Sequence, residues 1–218
     1  MVRLTTIGLL LALAVVGPGC QALVSHYETL PAGVMNMEGH SVAFVPMGED
    51  GRAPFSSSFG SDFAKRVSDQ LKRQTIEQEL DVTVKEVAPV VSRVKNGNIR
   101  ADDWGLIGSF LKVDYLAVGY IRRNEVEGKP ARNGAIGRMA VEFHVYDVKN
   151  QAMALTQTVR HTYPKRPDRG MRMISMDMTQ EDFRQAMHEY VAEHLAWNFY
   201  NREMLRTRLR DWQMSPQK

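Results

Sequence analysis

Few side chains in this chain could do chemistry, and each can be weighed by type and spacing. The chain has one cysteine, Cys20, so no internal disulfide can form and stability must come from ordinary packing. His188 and His194 flank Glu189 and Glu193. A zinc-protease helix needs two histidines four apart with a glutamate between them. Six apart, at about 100° per residue, leaves these two about 240° around the helix, so they do not converge on a metal. Met171, Met173, Met176 and Met178 cluster in one stretch. Thioethers favour Cu(I), but methionine also packs flexible loops, and 13 methionines in the chain make packing their ordinary use. Arg160, Lys165, Arg166, Arg169 and Arg172 form one basic stretch, and Arg202, Arg206, Arg208 and Arg210 another. Either could meet anionic headgroups or a polyanionic polymer, although such runs are commonly solvated surface. Ser56, Ser57 and Ser58 lack the glycines of a nucleophile elbow. Gly134 to Gly137 is too short for a phosphate loop, and no Gly-Lys-Ser/Thr follows it. The expectation is therefore a non-enzyme with no cofactor and no metal.

Composition narrows the field further. Apolar residues make up 44% of the 218 and charged residues 24%, ordinary for one globular domain with a real core. The mean hydropathy of -0.33 excludes a chain built mostly of membrane spans. The net charge of +3 is nearly neutral and gives no sign of nucleic-acid binding.

The first twenty residues are organised differently. Arg3 supplies a positive start, and Ile7 to Val16 is an apolar run of signal-peptide length. A spanning helix needs about 20 apolar residues, so the run is too short to be one. Small residues, Gly17 to Gly19, then precede Cys20. The segment resembles the lipobox of bacterial lipoproteins, with Gly17 where that motif usually has leucine. The resemblance implies cleavage after residue 19 and lipids on Cys20, so that membrane lipid is the first partner. Two or more acyl chains, at about 0.8 kcal/mol per buried CH₂, anchor stably. Gln21, in place of the aspartate that marks inner-membrane retention, implies the periplasmic face of the outer membrane.

Behind the leader, residues 20-40 read as a lipidated tether containing Pro31 and Gly33. Gln21 to Gly39, fully extended, would reach about 65 Å at roughly 3.4 Å per residue. Residues 41-212 read as one domain, and 213-218 as a disordered tail. Ser41 to Met47 is continuously apolar, the pattern of a central strand covered on both faces, with Pro46 marking its exit. Gly48 to Gly60 reads as a loop. Ser61 to Gln74 predicts an amphipathic helix capped by Ser61, with Phe63, Val67 and Leu71 as its stripe. Val82 to Val87 predicts a strand, and Pro89 to Val94 a helical turn stopped near Gly97. Asp102 to Leu111 predicts a helix with Trp104, Ile107, Phe110 and Leu111 inward, weakened by Gly105 and Gly108. Asp114 to Ile121 predicts a buried strand, and the charged, glycine-rich stretch 122-137 a loop. Arg138 to Val148 and Ala152 to His161 alternate as a hairpin turning at Lys149-Asn150. After a loop at 163-177, Thr179 and Asp182 open a helix running to about Arg206. The order is β-α-β-α-β-β-β-α: an α/β (α+β) fold with a mixed sheet of about five strands and two to three helices.

This order, together with four landmarks, resembles a group of bacterial envelope domains. The group includes the penicillin-binding-protein activator lipoprotein, the curli secretion-channel lipoprotein and the N-terminal domain of the Tol translocation protein. The landmarks are the strand Val42 to Met47, the Phe63-Val67-Leu71 helix, the run Val113 to Ile121, and Val145 to Gln151. At the last, Gln151 stands where the group often has glycine. The resemblance implies a non-catalytic binding or assembly domain with a protein partner in the cell envelope, self-assembly being open. The stretch 122-137 is too short and polar for the membrane-entering hairpins of the curli channel. The competing expectation is a periplasmic carrier of a ligand or Cu(I) through the methionines of 171-178.

Overall fold

The computed structural model describes residues 23-30, 32, 34-49, 51-129, 135-164 and 178-209, with the backbone alone for 23-30 and 202-209. The chain divides into two compact units. One comprises Pro31–Arg202 and holds the α/β domain. The other comprises Met1–Leu30 with Glu203–Lys218; its described part is the strand β1 (Leu23–Leu30), which pairs with β8 (Arg202–Leu209) as a two-stranded sheet.

In the larger unit, six strands are β2 (His40–Phe44), β3 (Gly48–Glu49), β4 (Val82–Val84), β5 (Tyr115–Glu127), β6 (Ile136–Asp147) and β7 (Ala152–Tyr163). They form one mixed sheet in the order β4-β2-β5-β6-β7, with β3 beside β5. β2 runs parallel to β4 and β5, with Val42 opposite both Val84 and Tyr115. β5, β6 and β7 form an antiparallel meander. Pro46 does interrupt the first strand, but the chain returns to the same ladder: β3 pairs parallel with β5, Gly48 opposite Tyr120. Gly48 is required there, since a Cβ would lie 2.6 Å from the Arg52 carbonyl oxygen.

The helices are α1 (Ser58–Glu77), α2 (Ala88–Lys95), α3 (Trp104–Leu111) and α4 (Gln180–Ala196). α1 begins a turn earlier than expected because Ser57, not Ser61, caps it, its hydroxyl accepting from the Gly60 N–H at 3.1 Å. Thr179 and Asp182 form the expected capping box at the start of α4. The Phe63, Val67 and Leu71 stripe and the Phe183, Met187, Val191 and Leu195 stripe are wholly buried on one side of the sheet. There Phe199 meets Phe44 and Phe143 edge-on, at 5.0 and 5.3 Å between ring centroids. α2 and α3 pack on the other side, over Ala43, Val45, Leu116 and Val118. Alternate residues of β2 and β5 therefore enter two different cores, which is why those strands read as unbroken apolar runs.

Four further boundaries differ from the sequence reading. The predicted last helix stops at Ala196, followed by a 3-10 turn at Trp197–Phe199. The Asn198 side-chain amide donates to the carbonyls of His194 (2.7 Å) and Leu195 (3.3 Å), satisfying groups that another helical turn would have used. The basic run from Arg202 thus begins on β8, not on a helix. Residues 34-37, read as tether, belong to the domain: Val34 and Met37 donate to the carbonyls of Asn198 and Phe199, and Met37 is fully buried. Leu23–Leu30, also read as tether, is a strand, consistent with its β-branched and aromatic residues. The stretch 122-137 is not all loop, because β5 runs on to Glu127 and β6 starts at Ile136, their arms pairing Val126 with Gly137. A bulge between Ile121 and Arg123 lets charged residues continue a ladder whose apolar alternation had ended.

Candidate interaction surface

The residues singled out by type are dispersed. His188 turns into the first core, 4.8 Å from the Phe59 ring, with Nε2 3.1 Å from Asn124 Oδ1. Burial first, then the positive Arg66 and Arg184, hold its pKa down at about 4. His194 lies on another side of α4, stacked between Tyr190 and Trp197 at 3.8 and 4.1 Å. The two histidines are not brought together. Ser57 serves as a helix cap, and the Ser56 hydroxyl donates to the Ala53 carbonyl. Gly137 lies against Met187, where a Cβ would come within 2.2 Å of its sulfur. Arg160 is exposed on β7. Cys20, Gly134, Lys165, Arg166, Arg169, Met171, Arg172, Met173, Met176 and Arg210 lie outside the described residues, and Met178 immediately precedes the α4 cap. Among the described residues, no three His, Cys, Asp or Glu side chains cluster as metal ligands, and no helix is long and apolar enough to cross a membrane.

The feature that stands out is α3. Its sequence, WGLIGSFL, is almost wholly apolar, yet only Ile107 and Gly108 are buried. Leu106 is 48% exposed and Phe110 37% exposed. The inward position expected for Phe110 is thus corrected. Two glycines explain the helix's roll. At Gly108 a Cβ would lie 2.3 Å from Val148 Cγ2, and at Gly105 3.3 Å from the Tyr146 hydroxyl. The helix therefore sits backbone-down on the residues at the end of β6, with Ile107 buried and Leu106 and Phe110 turned outward. Asp103 caps its start by accepting from the Leu106 N–H at 3.0 Å, and Lys112 ends it in a left-handed conformation.

The neighbouring α2 completes the surface. Pro89 opens it, and Arg93 and Lys95 occupy its last turn, where cations suit the helix dipole. The Arg93 guanidinium lies over the Phe110 ring at 4.3 Å, covering one face of an exposed aromatic with a cation. On the opposite flank of α3, a groove of about 580 Å³ is lined by Arg100, Asp102, Trp104, Tyr146 and Gln151, among others. Arg100 pairs with Asp102 at 2.9 Å and holds that carboxyl below its usual range, mainly by hydrogen bonding. Gln151, at the glycine position of the resembled group, adopts φ 51°, the left-handed turn conformation that glycine favours. Asp147 closes that turn by accepting from the Asn150 backbone and side-chain amides at 2.9 and 2.7 Å. The arrangement is an apolar ridge bordered by basic side chains and a polar groove. It can bind a complementary surface.

No family model matches the chain, and no curated protein does. Solved structures similar to it include three of bacterial origin. A PelC dodecamer from Paraburkholderia phytofirmans is 10% identical, with 82% of this chain and 100% of that one covered and a TM-score of 0.44. Lipoprotein GNA1162 from Neisseria meningitidis is 11% identical, covering 59% of this chain and 84% of that one, with a TM-score of 0.38. The LpoB C-terminal domain from Salmonella enterica is 9% identical, covering 57% and 84%, with a TM-score of 0.34. LpoB belongs to the group that the sequence resembles.

Proposed function

We propose that this chain is an outer-membrane lipoprotein that uses a non-catalytic domain to dock an envelope protein. The leader is removed at residue 19, lipids on Cys20 hold the protein at the periplasmic face, and the domain 31-202 presents α3 to its partner. The observation that carries this reading is the exposure of Leu106 and Phe110 on a helix of apolar sequence. A contiguous exposed apolar surface marks an interaction site, whereas scattered apolar residues such as Ile76 on α1 do not. The exposed Arg93, Lys95 and Lys112 at the ends of α2 and α3 suit a partner that rings an apolar hollow with carboxylates.

The anchor and the docking surface are tested separately. Mass analysis of the native protein is expected to show a mature N-terminus at Cys20 carrying acyl chains, and Cys20→Ser to release the protein from membranes. An unmodified thiol, or a retained leader, contradicts the anchor. A photocrosslinking residue placed at 106 or 110 is expected to trap one discrete envelope adduct in living cells. The same probe at Ile76 should trap none. Equal trapping at all three positions contradicts the assignment of the surface.

A further inference from the structure

The basic run near the C-terminus changes meaning with its backbone. On a helix, at about 100° per residue, positions 202, 206 and 208 would spread over about 240° of the circumference. On the strand β8 successive residues alternate between faces, so Arg202, Arg206 and Arg208 occupy one face, with Met204 among them. Glu203 falls on the other face, with Leu205, Thr207 and Leu209.

The strand beside it gives this face a place. β1 pairs with β8, and its first residue, Leu23, comes three positions after Cys20. Three residues reach at most about 10 Å. The Ala32 N–H donates to Asn201 Oδ1 at 3.0 Å, so Leu30 and Arg202 lie at one end of the two-stranded ribbon and the strands run antiparallel. β8 therefore returns toward Leu23, and Arg206 and Arg208 lie nearer to Cys20 than Arg202 does. Charge completes the picture. In β1 and β8 the acids are Glu28 and Glu203. Since Glu203 is on the opposite face of β8, at most Glu28 shares the arginine face, which keeps a net positive charge in either register of β1.

We propose that the β1–β8 ribbon contacts the membrane, its Arg202, Arg206 and Arg208 face binding the anionic headgroups of the bilayer that holds Cys20; its place rests on the anchor proposed above. A lipid surface fits better than a wall polymer because the ribbon starts within about 10 Å of the residue that carries the acyl chains. Acyl chains hold a protein by hydrophobic burial, whatever the headgroup. The arginines add a preference for anionic lipid and a dependence on salt.

The test uses the mature chain, residues 20–218, with Cys20→Ser, so that no acyl chain contributes. It is expected to sediment with phosphatidylethanolamine vesicles containing phosphatidylglycerol, not with phosphatidylcholine vesicles, and to be released as salt shortens the screening length below about 10 Å. Each arginine near an anionic surface is worth about fivefold in affinity, so Arg202→Gln, Arg206→Gln and Arg208→Gln together should weaken binding on the order of a hundredfold. Arg202→Lys, Arg206→Lys and Arg208→Lys together should keep it, because a headgroup surface reads charge and not the guanidinium fork. Removing three exposed cations elsewhere, by Arg73→Gln, Lys85→Gln and Lys129→Gln, should leave it near wild type. Equal sedimentation with both kinds of vesicle, no sedimentation at all, equal loss in the control variant, or loss in the lysine variant would overturn the proposal. Binding to isolated cell-wall sacculi without binding to vesicles would overturn it in favour of a wall polymer. The vesicle comparison and salt dependence of the chain with all its arginines decide the matter even if a variant fails to fold. Vesicle binding with an unmodified Cys20 in the native protein would reject the anchor and keep the charged face; an acylated Cys20 without vesicle binding would do the reverse.

Discussion

The two faces of the sheet are finished differently. On one, α1 and α4 lay twenty and seventeen residues over the strands and bury their stripes completely, with Phe44, Phe63, Phe143, Phe183 and Phe199 at or near zero exposure. On the other, two eight-residue helices cover only part of the strands, and the cover itself is left partly bare at Leu106 and Phe110. The first face is therefore where folding free energy is concentrated. The second has apolar surface that folding does not use. Similar side chains should consequently have different roles on the two faces, and that contrast can be broken or sharpened by mutation.

The largest effect is expected from truncating the same residue type on both faces. Phe143→Ala should destabilise by about 3–5 kcal/mol, because it opens a cavity in the closed core. Phe110→Ala should cost less, about 1–2 kcal/mol, because the residue is already 37% exposed and its loss opens no closed cavity. Urea denaturation of the two variants measures both, and equal losses would erase the distinction between the faces. Next, Gly108→Leu should cost about 1–3 kcal/mol by forcing α3 off Val148. A neutral result would mean that α3 is not held where the structure puts it.

The closed face should also show in acid. His161 and His188 both contact α4 or lie on it, and both are held near pKa 4 against an ordinary 6.5. Above pH 6.5 folded and unfolded chains are alike neutral there, and stability is at its full value. As pH falls from 6.5 toward 4 the unfolded chain takes up protons that the folded chain refuses, so stability declines. The loss is on the order of 2 kcal/mol per histidine, allowing for partial solvent screening. Denaturation midpoints across that window should fall, and His188→Leu should flatten the decline. The smallest effect is a gain: Gln151→Gly should stabilise by about 1 kcal/mol, since glycine meets the left-handed turn without the Cβ penalty.

Much of the closed face was legible in the sequence because it follows rules of period. The four-residue spacing from Phe63 to Leu71 and from Phe183 to Leu195 fixes which side of each helix is buried, and Thr179 with Asp182 marks a start by local hydrogen bonding. The unbroken apolar runs of β2 and β5 announced cover on both faces. What escaped was set by contacts distant in sequence. The end of α4 depends on Asn198 turning back to its own helix, and the burial of Met37 depends on Phe199. The extension of β5 through Arg123 and Glu125 is held by pairing with β6, where charge and glycine had suggested a loop. The candidate surface was hidden for a related reason: an apolar octapeptide reads as core, and only the close approach of Gly105 and Gly108 to Tyr146 and Val148 shows which of its residues are left outside. Those two glycines were the available signal, read as helix weakeners when they are packing contacts.

The central claim is that the apolar ridge of α3 exists for a partner and not for the fold. Its most direct test is one protein carrying both Leu106→Asp and Phe110→Asp, measured twice: for stability by urea denaturation, and for recovery of the envelope complex that the wild-type protein forms. The account predicts a domain that stays folded, losing no more stability than Phe143→Ala does, and loss of the complex. An intact complex, or a domain that unfolds when these two residues are charged, would contradict it.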